Sequence, residues 1–429
     1  MKPTNHMKMS KMIVLLLLLS PLFVRSQSLE ECQQAAVRNY PLIKQHELIE
    51  KTTDLTVENI GKGWLPHVSV SAQATYQSDV ASWPEQMQSM MSGMGIDMKG
   101  LKKDQYRVGV DIDQTIYDGG AIGRQQAVAR EQGLVQAAQT EVNLYGVRKR
   151  VNEMYFALLL LHDQIALNQE LQALLAGNEN KLSSMVKNGT AAECDLNNVR
   201  AERLNAVQRQ TLLESQQRML SAMLETLCGI SVNHVTKPAL AEAGGANNRP
   251  EMRLFDAQQR LADAQERALQ AALMPRLSVF AQGFYGYPGY NMFQDMTRHR
   301  WSLNGMIGGR LTWNIGALYT HKNDKAKIQL QRDITENNRS VFLFNSNLEQ
   351  MQQNEEIARY KILMADDDEI IRLRTSVRKA AESKLAHGII DVNDLLSEIN
   401  RENAARIQKS THEIEMLKTI YDNKLTTNN

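Results

Sequence analysis

The chain has only three cysteines, Cys32, Cys194 and Cys228, in 429 residues. An odd count permits one bridge at most, and the spacing matches no metal motif, so they read as small residues on helix faces. Catalytic signatures are missing as well. No Gly-x-x-x-x-Gly-Lys-Ser/Thr phosphate loop, Gly-x-Ser-x-Gly elbow, His-Glu-x-x-His or Cys-x-x-Cys occurs, and the nine histidines are scattered. An enzyme, an internal energy source, and a resident cofactor or metal are therefore not expected. Proline is absent between Ala121 and Pro238 and again after Gly289, which leaves two long stretches free of the strongest helix breaker. The one long apolar run, Met12 to Val24, is too short to span a bilayer as a permanent helix. With Lys2, Lys8 and Lys11 before it and Val24-Arg25-Ser26 after it, residues 1–26 read as a signal peptide for export. Its removal takes four of the 49 basic side chains and none of the 48 acidic ones, leaving a net charge of about −3, which argues against nucleic acid as a partner.

What the chain does contain, it contains twice. Leu65-Pro66-His67-Val68-Ser69-Val70-Ser71-Ala72-Gln73 returns as Met274-Pro275-Arg276-Leu277-Ser278-Val279-Phe280-Ala281-Gln282. Around each copy the same order recurs: helical run, short alternating segment, loop, second alternating segment, very long helical run. The repeats occupy residues 27–238 and 239–429. In the first alternating segment, about 65–77, Val68, Val70, Ala72, Ala74 and Tyr76 fall on one side and His67, Ser69, Ser71, Gln73 and Thr75 on the other. Segments at about 105–117, 274–286 and 301–313 alternate similarly, with Phe280 and Phe284 breaking the pattern in the third. Each is about 10–12 residues, the length a tilted strand needs to cross a bilayer.

All four tryptophans, Trp64, Trp83, Trp301 and Trp313, lie in or beside these segments. Trp64, Tyr76, Tyr106, Tyr117, Tyr285, Trp301 and Trp313 are the candidate membrane-interface aromatics, since such side chains gather where lipid meets water. A small soluble sheet with an aromatic core is the plainer alternative. Four strands cannot close a barrel, and an open sheet edge in lipid leaves backbone groups unpaired. Three chains of four strands give twelve, enough to enclose a water-filled lumen. A homotrimer follows from that count.

The proline-free stretches carry helical periodicity. Leu144, Val147, Val151, Met154, Leu158, Leu161 and Ile165 step by three and four, a coiled-coil seam that loosens near Asn168 and resumes through Leu171, Leu175 and Leu182. A helix from Ala121 to Lys187 would be roughly 100 Å long, deeper than a globular core. Breaks fall at Asn188-Gly189 and His387-Gly388, so each repeat ends in a long helical hairpin, 121–228 with its tip near 188–190 and 317–425 with its tip near 387–390. Thr190-Ala191-Ala192-Glu193 has the form of a capping box, and Asp391 is placed to cap the partner helix.

With these features assembled, the chain resembles the TolC-like outer-membrane efflux protein family over essentially all of the sequence after the signal. Asn39-Tyr40-Pro41-Leu42 and Asn248-Arg249-Pro250-Glu251-Met252 match its helix starts; Leu65-Pro66 and Met274-Pro275 open the first strand of each repeat. Gln114-Thr115-Ile116-Tyr117-Asp118-Gly119-Gly120 resembles its strand-to-helix exit, and Arg310-Leu311-Thr312-Trp313-Asn314-Ile315-Gly316 is a degraded second copy. Gly189 before Asp195-Leu196 and Gly388 before Asp394-Leu395 match the hairpin tips at identical spacing. The resemblance implies a mainly α fold with membrane β: long coiled-coil hairpins plus four transmembrane strands per chain. It implies assembly as a trimeric 12-stranded β-barrel in the outer membrane with a periplasmic α-helical barrel. It further implies a passive exit duct for small molecules or proteins, partnered by a periplasmic adaptor and an inner-membrane pump of the RND or ABC type. A periplasmic coiled-coil adaptor or scaffold without a pore is the alternative from another class.

Asp195 and Asp394 are candidates for a periplasmic gate, where trimer symmetry would multiply each into a carboxylate ring favouring cations; equally, Asp394 serves the positive end of its own helix. The family's second aspartate and its basic and aromatic gate partners are replaced by Ser397, Ile390 and Leu385. Asn188, Gly189, His387 and Gly388 are the adaptor-docking candidates, or simply helix stops. Met87, Met90, Met91, Met94 and Met98 crowd one loop, where thioethers suit a soft ion such as Cu(I) but more commonly mark a flexible external segment. Asp366-Asp367-Asp368-Glu369 reads as a solvated helix face.

Overall fold

The computed structural model describes residues 27–95, 100–232, 234–240 and 247–428. The expected signal at 1–26 and Met98 lie outside them. Among the described residues the helices are α1 (Leu29–Asn39), α2 (Ile43–Gly61), α3 (Glu85–Gly93), α4 (Ala121–Lys187), α5 (Glu193–Cys228), α6 (Pro250–Ala271), α7 (Met292–Arg298), α8 (Ala317–Ala386) and α9 (Val392–Thr427). The strands are β1 (His67–Tyr76), β2 (Asp104–Tyr117), β3 (Arg276–Tyr287) and β4 (Ser302–Thr312). The strand bounds lie within a residue or two of the alternating segments. The described residues are mainly helical with a single four-stranded sheet.

The described residues divide into two compact units that do not follow the repeats. One draws on Met1–Gln45, Thr140–Met252 and Ser340–Asn429, the other on His46–Gln139 and Arg253–Arg339. Each repeat contributes to both: its strands and the start of its hairpin, as far as Gln139 in the first and Arg339 in the second, fall in one unit, and the rest of the hairpin falls in the other.

In the sheet-bearing unit all strands are antiparallel in the order β1-β2-β3-β4. The two repeats meet at β2 and β3, whose register runs from Tyr106 opposite Tyr287 to Tyr117 opposite Leu277, with an irregularity between Thr115 and Tyr117. β1 and β4 are left as edges. Asp118 ends β2 and starts α4: its buried carboxylate accepts the Gly120 N–H at 2.8 Å and the Ile122 N–H at 2.6 Å, satisfying donors that a helix start leaves unpaired. Helices in this unit are tied by ion pairs across their polar faces, as where Arg332 meets Asp263 and Glu266, each at 2.7 Å.

The helical unit is built on a coiled-coil seam. Val147, Val151, Tyr155, Phe156, Leu158 and Leu159 of α4 pack with Leu29 and Ala36 of α1, Leu224 of α5, and Ile414, Leu417 and Tyr421 of α9. α1 starts in a reciprocal capping box, Ser28 Oγ accepting from Glu31 N–H and Glu31 accepting from Ser28 N–H, both at 3.2 Å. The seam is pinned by buried amides. Asn152 accepts from Gln33 at 2.6 Å and donates to Asp422 at 3.2 Å. Asn168 donates to the Ala206 carbonyl at 2.9 Å and to Gln210 at 2.8 Å, so the loosened periodicity there is a polar pin between α4 and α5.

The acidic run on α8 is not simply a solvated face. Asp367 is 6% exposed and meets His412 Nδ1 at 2.9 Å, Asp368 pairs with Lys409, and Glu369 pairs with Arg372. A run of one sign on one helix hides which members find a partner on the next.

Cys32 and Cys228 are buried and free, and Cys228 Sγ donates to the Cys32 carbonyl at 3.4 Å, while Cys194 is exposed. The hydrogen bond with the Cys228 thiol, reinforced by burial, holds the Cys32 thiol well above the ordinary range and keeps it protonated. Cys194 should therefore react with a maleimide in the native protein. Cys32 and Cys228 should label only after unfolding, and mass spectrometry of labelled peptides checks this.

Candidate functional site

The sheet presents two chemically opposite faces. On one, Val68, Val70, Val108, Val110, Ile112, Val279, Leu303, Ile307 and Leu311 all stand exposed, Val70 to 74%, Ile307 to 77% and Leu303 to 82%. Burying a side chain of this size rather than leaving it in water is worth roughly 1.5–3 kcal/mol, so a continuous face of them calls for an apolar surrounding. Aromatics border this band at both ends. Near the loops, Tyr106 stacks on Trp301 with centroids 6.0 Å apart, and Tyr285 lies 5.4 Å from the same ring, with exposed Tyr76 alongside. At the helix-facing end stand Trp64, Tyr117 and Trp313, all exposed; Trp313 Nε1 donates to the Leu273 carbonyl at 2.9 Å. No helix among the described residues is long and apolar enough to cross a membrane.

The opposite face is polar. Register places Gln73 with Arg107, Ser69 with Asp111, His67 with Asp113, and Ser278 with Arg310. Arg310 approaches Asp113 at 3.8 Å and lies 4.8 Å over the Phe280 ring. Phe280 and Phe284, which broke the alternation, thus serve as platforms for arginines on this face.

The hairpin tips close alike. Gly189 (φ +72°) donates to Val186 O at 3.0 Å and Thr190 N–H to Met185 O at 2.9 Å; Gly388 (φ +67°) donates to Leu385 O and Ile389 to Lys384 O, both at 2.9 Å. This is the glycine-terminated helix stop whose left-handed residue side chains resist. Both glycines face open space. The capping box expected at Thr190 does not form. Thr190 Oγ1 instead donates to Met185 O at 3.0 Å, closing α4, and the N-cap of α5 is Ala192, whose N–H donates to Asp195 at 3.4 Å. Asp391 does cap α9, accepting the Asp394 N–H at 2.9 Å.

Leu182, Leu196 and Val199 of one hairpin pack with Val392, Leu395 and Ile399 of the other, beside a groove of about 980 Å³. Asp195, His387 and Gly388 line that groove; Asn188 and Gly189 do not, and Asp394 is exposed outside it. Across the hairpins Asn198 donates to Asn393 at 3.3 Å and Asn400 to Glu202 at 3.1 Å.

One group near the tips was invisible in the sequence. Glu402 of α9, 5% exposed, receives Arg378 and Thr375 from α8 and Arg406 from its own helix. Burial pushes its carboxyl up, but the hydrogen bonds from Arg378, Arg406 and Thr375 outweigh it and hold the group below the usual carboxylate value. Its charge is one of many on α9, and only the partners' positions mark it.

Met87 and Met90 stand exposed on α3 and Met94 at its C-cap, with Met91 half-buried. No cluster of three or more His, Cys, Asp or Glu that could hold a metal occurs among the described residues.

Residues 33–230 match the family model described as Outer membrane efflux protein. No curated protein matches by sequence. Solved structures match in fold. The outer-membrane channel OprN has a TM-score of 0.67 at 13% identity, covering 93% of this chain and 89% of that one. The open-state MtrE outer membrane channel of Neisseria gonorrhoeae has a TM-score of 0.66 at 13% identity, covering 93% and 88%. The CmeC outer membrane channel of Campylobacter jejuni has a TM-score of 0.65 at 12% identity, covering 93% and 85%.

Because the native value of Glu402 is depressed, its contribution is complete above the ordinary carboxylate value of about 4.3 and is lost as pH falls through the native one. Glu402→Gln should therefore melt at a lower temperature than wild type at pH 7, by roughly 1–3 kcal/mol of lost stability. It should also show a flatter acid limb when melting is followed by circular dichroism from pH 7 to 3.

Proposed function

We propose that this chain, a member of the outer membrane efflux protein family, is one third of a trimeric exit duct. The protein resides in the outer membrane with a periplasmic part. The observation that carries the reading is the unclosed sheet: four strands, two free edges, and an exposed apolar face bordered by aromatics at both ends. Edge-to-edge joining of β4 on one copy to β1 on the next would close twelve strands, put the apolar face in lipid and turn the polar face to a water-filled lumen. A second feature points the same way. α8 leaves Leu330, Ile334, Val341, Phe344, Leu348 and Met351 exposed at helical spacing, an unpaired seam that neighbouring helices would bury.

In this reading the strands cross the outer membrane and the hairpin tips reach into the periplasm. There the tip glycines and the groove between the hairpins receive a periplasmic adaptor, which couples the duct to an inner-membrane pump of the proton-driven or ATP-driven kind. Asp195 and Asp394 set the charge of the periplasmic mouth. The duct itself does no chemistry: cargo passes through, driven from elsewhere.

Fractionation should place the mature protein in the outer membrane as a heat-modifiable trimer, and planar bilayers containing it should conduct. A detergent-independent monomer without conductance would point to a periplasmic scaffold instead. At the tips, a Cβ on Gly388 meets no atom within 4 Å, so the strain of Gly388→Trp is confined to its own left-handed turn; trimers should persist on gels while export, read as drug or dye sensitivity of the cells, is lost. Gly388→Asn tolerates the left-handed backbone and should export nearly normally.

A further inference from the structure

Phe284 is a large aromatic on the polar face of the sheet, and several features converge on it. Its register partner on β2 is Gly109, where a Cβ would come within 3.0 Å of the Phe284 Cβ. The missing side chain makes the notch in which the ring sits. Arg107, on the same face of β2, lays its guanidinium 4.0 Å over the ring centroid. Tyr290, from the connection between β3 and β4, meets the ring edge-on at 5.2 Å and 88°. Phe284 is only 4% exposed as a result.

Tyr290 reaches this position because its loop folds back over the polar face. Its N–H donates to Asn304 Oδ1 at 2.8 Å, and Asn304 is the register partner of Phe284 on β4. A Cβ on Gly289 would strike the Ser302 and Asn304 side chains, so the backbone lies directly on them. The loop is held by Asp295, a buried carboxylate accepting the Gly289 N–H at 2.6 Å, and by His299, whose Nε2 lies 2.8 Å from the Gly100 carbonyl.

The charge here is uncompensated. Arg310 has Asp113 at 3.8 Å, but among the described residues no carboxylate lies within ion-pair distance of Arg107. Arg107 is half-buried, so its guanidinium is fixed by stacking yet still meets solvent.

We propose that Arg107, positioned by Phe284 and Tyr290, is an anion-selecting residue of the outer mouth, favouring passage of inorganic anions and of cargo carrying carboxylate or phosphate groups. The assignment rests on the trimeric duct proposed above. Three copies bring three fixed cations to one level of the lumen near the loop end, where the Tyr290 turn narrows the path. A ring of like charge in a confined pore raises the local concentration of counter-ions.

The test is reversal potential across planar bilayers in a potassium chloride gradient, with trimer integrity of each variant checked on gels. Arg107→Gln should lower the chloride-to-potassium permeability ratio relative to wild type by about threefold. Arg107→Lys, which keeps the charge, should retain most of the ratio, and Tyr290→Ala should raise single-channel conductance. In wild-type channels, which need no substitution, pyrophosphate added on the loop side should reduce the current. An unchanged ratio in conducting Arg107→Gln trimers, or equal losses in the Gln and Lys variants, would overturn the charge assignment. So would wild-type current indifferent to pyrophosphate. Intact wild-type trimers with no conductance at all would overturn the duct reading itself, and the assignment with it.

Discussion

A β-sheet in lipid must end nowhere, because each unpaired N–H or C=O at an edge costs several kcal/mol where no water can replace its partner. The described residues of this chain supply four strands, with β1 and β4 as open edges. The apolar face it exposes would be equally unfavourable in water. Both defects vanish together if copies join at those edges, and neither is relieved by anything else among the described residues. On the proposed trimer, the stability of the monomer is inseparable from its assembly. It also explains why the described helices carry no membrane span: contact with lipid falls to the strands, and the helices are free to carry polar surfaces and coiled-coil seams.

The duplication makes sense within that constraint. β2 of the first repeat pairs with β3 of the second, so the join within a chain is of the same antiparallel kind as the join the proposed trimer would make between chains. The copies have diverged where pairing does not depend on them. Asp118 caps α4 through two backbone bonds, whereas the second exit has Asn314-Ile315-Gly316 and no comparable carboxylate cap. The tips have not diverged: both end in the same glycine-terminated stop with the same pair of backbone bonds. The stop is specified by one backbone conformation, which glycine alone adopts freely.

What the sequence disclosed is what periodicity and backbone conformation encode. Alternation over Val68, Val70 and Ala72 located β1, and unbroken steps of three and four through Leu144 to Ile165 located α4, because burial on one face imposes period on the chain. Gly189 and Gly388 located the tips. Partners distant in sequence were hidden. Nothing near Asp367 announces His412, so a buried carboxylate with a partner looked like solvated charge, and nothing near Glu402 announces Arg378. Thr190 was misread because a threonine ahead of a helix serves the preceding carbonyls as readily as the following N–H groups. Phe280 and Phe284 looked like errors of alternation for the same reason: Gly109, Arg107 and Arg310 come beside them only through the register.

Those two phenylalanines show how a strand can break its period without losing its face. A large aromatic on the polar side is costly when wet, yet each is covered by a guanidinium, at 4.0 Å for Phe284 and 4.8 Å for Phe280. The pairing also acts on the arginines, since stacking restricts a side chain that would otherwise sweep freely through solvent. The two differ in what remains. Arg310 has its carboxylate neighbour and adds little net field, while Arg107 keeps its whole charge at the end where the loop turns inward. The wall therefore gains a positive charge at the loop-end level, where Arg107 stands without an ion-pair partner among the described residues.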